Sequence, residues 1–414
     1  MRIATLAVLA VVSAAVATGQ SWDKPRDFKA SQILTETEKK GPHHSVDKKV
    51  KLEGFYFAFS LKTDFGDLKP VGRDVLKKRI KETAALEALN EVSKTAVFLE
   101  SAGRSAESMG KGLVHVAKDP KGTAKGIGGG IKRFGVNLGR KTKRVAEDVT
   151  DDDDDEKEKT STEEQAENVA NSVLGVNTSA RVWAQKLQVD PYSRNPILQK
   201  TLIEIAKIDA AGGIALKVVV PIPTAVSTTS SVSGLVWGKD PEELRKTNEA
   251  GLKAVGVSED VSGKFFRNDH FTLTDRTRFV AALTTVKAKG LADYVDTARH
   301  ADNPREALFF VESAEMLALQ HSQAAVKQIL TDSRAMVAAS GGRALALLPL
   351  DYLAWTEPVS ETATEIAERA KKELGTSGLE MRLTGQASSR ARTGLQTIGW
   401  SLKQGVPGGG PGGE

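Results

Sequence analysis

The chain has 414 residues, 40% of them hydrophobic and 27% charged, a composition of folded proteins and a length that accommodates two compact domains. It has no cysteine, which excludes disulfides, thiolate nucleophiles, thiolate zinc sites and iron–sulfur ligation together. The formal net charge of +5 conceals a strong local asymmetry, and that asymmetry is more informative than the total.

The chain opens with Arg2, an apolar run from Ile3 to Val12 and the small-x-small pattern Ala15-Val16-Ala17, the layout of a secretory signal peptide over residues 1–17. The run is shorter than the roughly twenty residues of a membrane-spanning helix. Export is therefore expected, to a periplasmic or extracellular address, and the lack of cysteine favours a bacterial source over disulfide-rich eukaryotic secretion. Residues 18–42 are polar, mixed in charge and without periodicity, and read as a flexible arm. Phe55, Phe57, Phe59 and Leu61 then alternate with Gly54, Tyr56, Ala58 and Ser60, the period of a strand that packs one face. Asp64-Phe65-Gly66-Asp67 reads as a turn, so that Leu68 and Val71 pair back within a hairpin spanning 50–71. Arg73 to Met109 reads as one long helix or two, with Val75, Leu76, Ile80, Leu86, Leu89, Val92, Val97 and Leu99 recurring at spacings of three and four. The aromatic face of the hairpin is its nearest partner, and the two make a hairpin and helix module over 43–117.

From Lys118 to Arg144 the chain holds nine Lys or Arg against one acid, Asp119, with seven glycines between Gly122 and Gly139 and Ile127, Ile131, Phe134, Val136 and Leu138 interspersed. Glycine costs about 0.8 to 1 kcal/mol per residue in a helix interior, so an isolated helix there is marginal. Eleven acids against two lysines follow from Glu147 to Glu164, a block that cannot bury itself and reads as a disordered spacer over 146–165. A basic glycine-rich segment over 118–145 is thus joined directly to an acidic one, and the domain boundary is expected there.

The second half, 166–404, is mostly helical by pattern. Asn195-Pro196, Asp240-Pro241-Glu242-Glu243 and Asn303-Pro304-Arg305-Glu306 each set a capping residue before a proline at the first helical position. Helices are predicted near 196–210, 241–254, 274–288 and 304–319. Gly212 to Gly238 interrupts them with an apolar stretch in which Lys217, Pro221 and Pro223 argue against a membrane span and for a buried hairpin. Near the C-terminus an apolar run (Ala344–Trp355), a helix (Ser360–Leu374), a strand (Leu379–Leu383), a helix (Ser388–Ile398) and a strand (Trp400–Leu402) suggest a small α/β unit with parallel pairing. The Gly/Pro tail, 405–414, reads as disordered.

Catalytic motifs are sparse. Gly126-Ile127-Gly128-Gly129-Gly130-Ile131 departs from Gly-x-Gly-x-x-Gly at its last position, and Gly135 to Thr142 is mis-spaced for a phosphate loop. His43-His44 is a weak metal candidate in an otherwise polar stretch, and no metal or cofactor is expected. His270, Asp275 and Ser340 are the residue types of a hydrolase triad without its Gly-x-Ser-x-Gly elbow. Glu312 and Glu315, one turn apart, allow an acid–base pair or a salt-bridged face. The basic segment is the stronger candidate: near an anionic bilayer Lys and Arg contribute about 1 kcal/mol each. The contact residues are Lys121, Lys125, Lys132, Arg133, Phe134, Arg140, Lys141, Lys143 and Arg144. Its competing reading is a linker folded back on the acidic block, and nucleic acid is a poor third partner because no aromatic platforms interleave the charge.

Asp119-Pro120-Lys121-Gly122-Thr123-Ala124-Lys125-Gly126 with Arg133-Phe134, and Leu383-Thr384-Gly385-Gln386-Ala387-Ser388 with Gly399-Trp400, resemble stretches of exported bacterial proteins of unassigned function. The resemblance implies a bacterial exported origin and carries no chemistry. The expectation is an α+β, mostly helical protein: an N-terminal β-hairpin plus long helix, then a C-terminal helical domain ending in a small α/β unit. The expected function is a non-enzymatic, envelope-associated or surface-interaction role, with a secreted hydrolase as the alternative.

Overall fold

The computed structural model describes residues 22–24, 26–95, 175–212, 231–332, 335–376 and 378–409. The fold is α+β and mostly helical, as the sequence patterns imply.

Six short strands, a 3-10 turn (Ala30–Gln32) and one turn of α-helix build the N-terminal module: β1 (Phe28–Lys29), α1 (Glu36–Lys39), β2 (Lys40–Gly41), β3 (His44–Val46), β4 (Lys49–Glu53), β5 (Tyr56–Ala58) and β6 (Leu61–Thr63). The strands form two antiparallel sheets, ordered β1-β4-β5 and β2-β3-β6. Residues 28–41, read from the sequence as part of a flexible arm, are folded: Phe28, Ala30 and Leu34 are buried beside Val50, Phe57 and Leu61, and Thr35 and Glu38 close a capping box on α1. The expected alternation holds for Phe57, Phe59 and Leu61, all buried, and bridges from Ala58 to Val71 and from Leu61 to Leu68 return the chain as anticipated. Phe55 departs from it. Glu53 pairs with Tyr56, so Gly54 (φ +60°) and Phe55 form a two-residue turn, and Phe55 is 37% exposed.

The long helix α2 (Arg73–Ser93) divides its apolar stripe. Leu76 and Ile80 pack on the aromatic sheet face, whereas Leu86, Leu89 and Val92 share a core with two later helices, α3 (Val176–Lys186) and α4 (Pro196–Gly212). Those two run antiparallel, because Ser179 and Trp183 of α3 both donate to Asp209 near the end of α4. The basic and acidic segments, the signal peptide and every candidate contact residue from Lys121 to Arg144 lie outside the described residues.

Six helices follow: α5 (Ser231–Gly238), α6 (Pro241–Ala254), α7 (Glu259–Arg267), α8 (Leu273–Thr284), α9 (Leu291–Ala298) and α10 (Pro304–Gln323). Helix α5 corrects the hairpin expected over 212–238, of which residues 213–230 lie outside the described residues. The proline devices work as read. Asp240 caps α6 in a box with Glu243, and Asn303 accepts from the backbone N–H groups of Arg305 (3.0 Å) and Glu306 (2.9 Å). The core between α7 and α10 is a run of rings, Phe265, Phe271, Phe279, Tyr294 and Phe310, with neighbouring centroids 4.9 to 6.2 Å apart.

The C-terminal unit is a five-stranded sheet containing β7 (Val326–Asp332), β8 (Ala335–Ser340), β9 (Arg343–Leu348), β11 (Gly378–Leu383) and β13 (Trp400–Lys403), ordered β13-β11-β9-β8-β7. Pairing is antiparallel from β7 to β9 and parallel from β9 through β11 to β13. Helices α11 (Glu357–Leu374) and α12 (Ser389–Thr397) supply the crossovers that parallel strands require. They cover the face carrying Ala344, Ala346, Leu379, Met381 and Leu383, while Met336, Ala338, Leu345 and Leu347 face α10. Two further strands, β10 (Tyr352–Leu353) and β12 (Gln386–Ala387), pair beyond the parallel strand ends. Residues 405–409, assigned to a disordered tail, instead return over the sheet: Gly405 and Val406 donate to Gly385 and Leu383.

Candidate functional site: a buried ionic seam

The N-terminal module seats its hairpin tip at the C-terminal ends of the parallel strands. Phe55 O accepts from the N–H groups of Asp351 (3.1 Å) and Tyr352 (3.0 Å). In return, the Asp351 carboxylate accepts from the N–H of Phe57 (2.9 Å) and of Arg73 (3.0 Å). This second bond solves a local problem. Helix α2 begins after Gly72, which has φ +104° and no side chain to cap with; the acid that caps the helix comes from the other end of the sequence. Glycine is favoured there by its positive φ, and a Cβ would also lie 2.9 Å from a guanidinium nitrogen of Arg305.

Arg305, in the first turn of α10, stands at the centre. Its guanidinium lies 4.0 Å from the ring centroid of Tyr56 and is ion-paired with Glu312 two turns on. Burial drives the Glu312 carboxyl up to about 7; Arg305 opposes this and the charge of Asp74 adds to it. Burial likewise raises Asp351 to about 6, against the two backbone N–H groups that favour its ionised form. The Tyr56 hydroxyl is raised too, and its oxygen is buried with no hydrogen-bond partner among the described residues.

The seam continues through α8. Arg278 makes two 2.8 Å hydrogen bonds to Glu315 and lies 3.8 Å from Asp275. Asp275 also receives Arg194 (3.1 Å) and closes the capping box of α8 with Thr272. Burial raises its carboxyl, but the charges of Lys78, Arg194 and Arg278 prevail and hold it below the ordinary range. Lys78 of α2 pairs with Asp190 at 2.7 Å, and Thr274 also donates to Asp190. Alternating charges thus tie the N-terminal module, α2, the loop before α4, α8, α10 and the strand-end loop together.

This geometry sorts the candidate residues. Glu312 and Glu315 do not act on each other; each has its own arginine. The hydrolase set is not assembled: Ser340 donates to Ala324 O (3.0 Å) and accepts from Gln320 (3.1 Å). Asp275 is held by its arginines, and the His270 ring lies 3.8 Å from Asp269. His43 pairs with Asp64 at 3.0 Å, and among the described residues no group of three His, Asp or Glu side chains is placed to hold a metal. Sequence reading passed over Tyr56, Arg305 and Asp351. One signal for Asp351 was available, a lone acid inside the apolar run Ala344–Trp355.

Comparison with family models, with curated proteins and with solved structures finds no match. Among the described residues no helix is long and apolar enough to cross a membrane.

Proposed function

We propose that this is an exported bacterial protein with a non-enzymatic, envelope-associated interaction role, and that Lys118–Arg144 is its contact with an anionic lipid surface or an acidic partner. The observation that carries the reading is the charge of that segment, nine bases against one acid, with apolar residues at Ile127, Ile131, Phe134 and Leu138 suited to shallow insertion. The flanks support it. Helices α2 and α3, which flank the segment in sequence, share the core of Leu89 and Trp183.

Co-sedimentation with vesicles tests the reading. Binding to phosphatidylglycerol vesicles at low salt is expected, with little to phosphatidylcholine and loss as the Debye length falls to about 3 Å near 1 M salt. Deleting residues 118–144 removes it. Unchanged vesicle binding by the deletion variant, or none by the intact chain to any acidic surface, overturns the reading.

A further inference from the structure

The face of the parallel strands turned away from α11 and α12 carries a second concentration of positive charge, within the described residues. Glu380 of β11 is 2% exposed, and three cations converge on its carboxylate. Arg382 reaches it at 2.7 Å, Arg343 of β9 at 3.1 Å and Lys403 of β13 at 3.2 Å. These positions share one face because β9, β11 and β13 are in parallel register, with Arg382 beside Lys403 and Arg343 beside Gly378. Gly378 permits the convergence: a Cβ there would sit 3.0 Å from Arg343 Cγ, in the path the arginine takes across the strand. Gln320, in the last turn of α10, accepts from Arg382 and forms one wall. The exposed Ser401 lies on the same face between them.

One cation neutralises one buried carboxylate. The other two leave a local charge of +2, and they are not buried: the side chains of Arg343 and Lys403 are 58% and 57% exposed. Holding two long exposed side chains on one acid contributes little to stability, because exposed ion pairs are worth about 0 to 1 kcal/mol. Arg343 and Lys403 also keep donors beyond those they give to Glu380, on largely exposed side chains. A residual +2 with donors from three neighbouring strands matches a tetrahedral dianion better than a planar carboxylate.

We propose that Arg343, Arg382 and Lys403, arranged around Glu380, form a binding site for a phosphate group. The site does not depend on residues 118–144, so it stands or falls separately from the lipid-contact reading. Glu380 is its positioning residue: it gathers the three cations, which would otherwise repel one another and spread into solvent.

The test is a titration of the full chain with inorganic phosphate, followed by amide and arginine Nε–H nuclear magnetic resonance signals. Saturable shifts confined to Gly378, Ser401 and the arginine side chains are expected, with no response to chloride at matched ionic strength. Lys403→Gln weakens the affinity about tenfold, the loss of one charge-assisted contact, and Arg343→Gln with Lys403→Gln abolishes it. Arg382 still pairs Glu380 in both variants, and the single variant decides the matter if the double one does not fold. Vesicles of phosphatidic acid against phosphatidylcholine then separate the sources. Broadening of the same signals by the former indicates a lipid phosphomonoester, and its absence a soluble ligand; either keeps the site. Non-saturable shifts, an equal response to chloride, or unaltered affinity in the variants would overturn it.

Discussion

Asp351 shows how much one side chain can hold together. Its Oδ2 accepts from the N–H groups of both Phe57 and Arg73, its own N–H reaches Phe55 O, and among the described residues no other side chain caps α2. Replacing a capping acid by alanine costs about 0.5 to 2 kcal/mol, and the Phe57 N–H left unpaired adds roughly 1 to 3 kcal/mol. Asp351→Ala is therefore expected to lower stability by about 3 kcal/mol in denaturant unfolding. Asp351→Asn, which keeps one acceptor oxygen, is expected to lose less than half as much. Equal losses would mean that the negative charge, not the pair of backbone bonds, is what matters there.

At the scale of elements, glycine on α12 separates two effects that ordinarily point in opposite directions. Gly→Ala inside a helix is favourable by roughly 0.8 to 1 kcal/mol. Gly394 of α12, however, lies flat on the Trp355 ring, with a Cβ position only 2.2 Å from ring carbons. Overpacking of that kind costs typically about 1 to 3 kcal/mol, so Gly394→Ala is expected to lower the melting temperature, and a rise would show that the loop of Trp355 yields. The same unit was the most legible in sequence, because alternating and helical periods with proline and glycine punctuation are local signals: Leu379–Leu383, Ser388–Ile398 and Trp400–Leu402 all proved to be the elements anticipated. The capped helices at Pro196, Pro241 and Pro304 were legible for the same reason. Residues 28–41 were not, since strands of two or three residues are too short for a period to emerge and are ordered by distant partners such as Tyr352. The seam escaped for a related reason. Tyr56 and Arg305 are ordinary residues in ordinary local contexts, and only the tertiary fold brings them to Glu312 and Asp351. Leu379-Glu380-Met381-Arg382 did carry a readable trace, opposite charges two apart on one face of a strand.

For the molecule as a whole, the seam gives stability an uncommon dependence on pH. Glu312 faces Arg305, Arg278 and Asp74, and Asp351 faces Arg305, Asp74 and the N–H groups of Phe57 and Arg73. Both carboxyls are raised, to about 7 and about 6, above ordinary values of 4.5 and 3.8, so between those limits the folded state holds more protons than the unfolded one. Stability then rises as pH falls from about 8 towards 5, by on the order of 3 kcal/mol if the Glu312 shift acts alone. Asp23, Glu38, Asp275 and Glu380 are lowered, and their contribution is lost only below the ordinary carboxylate range. Thermal unfolding across pH 4 to 8 is expected to peak near 5, and Glu312→Gln to flatten the limb above 6; a maximum at 7 to 8 in the parent chain would refute the assignment. The seating of the hairpin tip has a further consequence, in time rather than in energy. Asp23 bonds to Trp355 and pairs with Arg390, and Phe57 and Arg73 bond to Asp351, so the earliest-made module finds its partners only when the last quarter of the chain has emerged. Pairings of such long sequence separation form slowly. Until then Phe28 and Phe57 lack the Tyr352 ring they pack against, and the nascent chain has an interval in which its first-synthesised apolar surface must be kept from other chains.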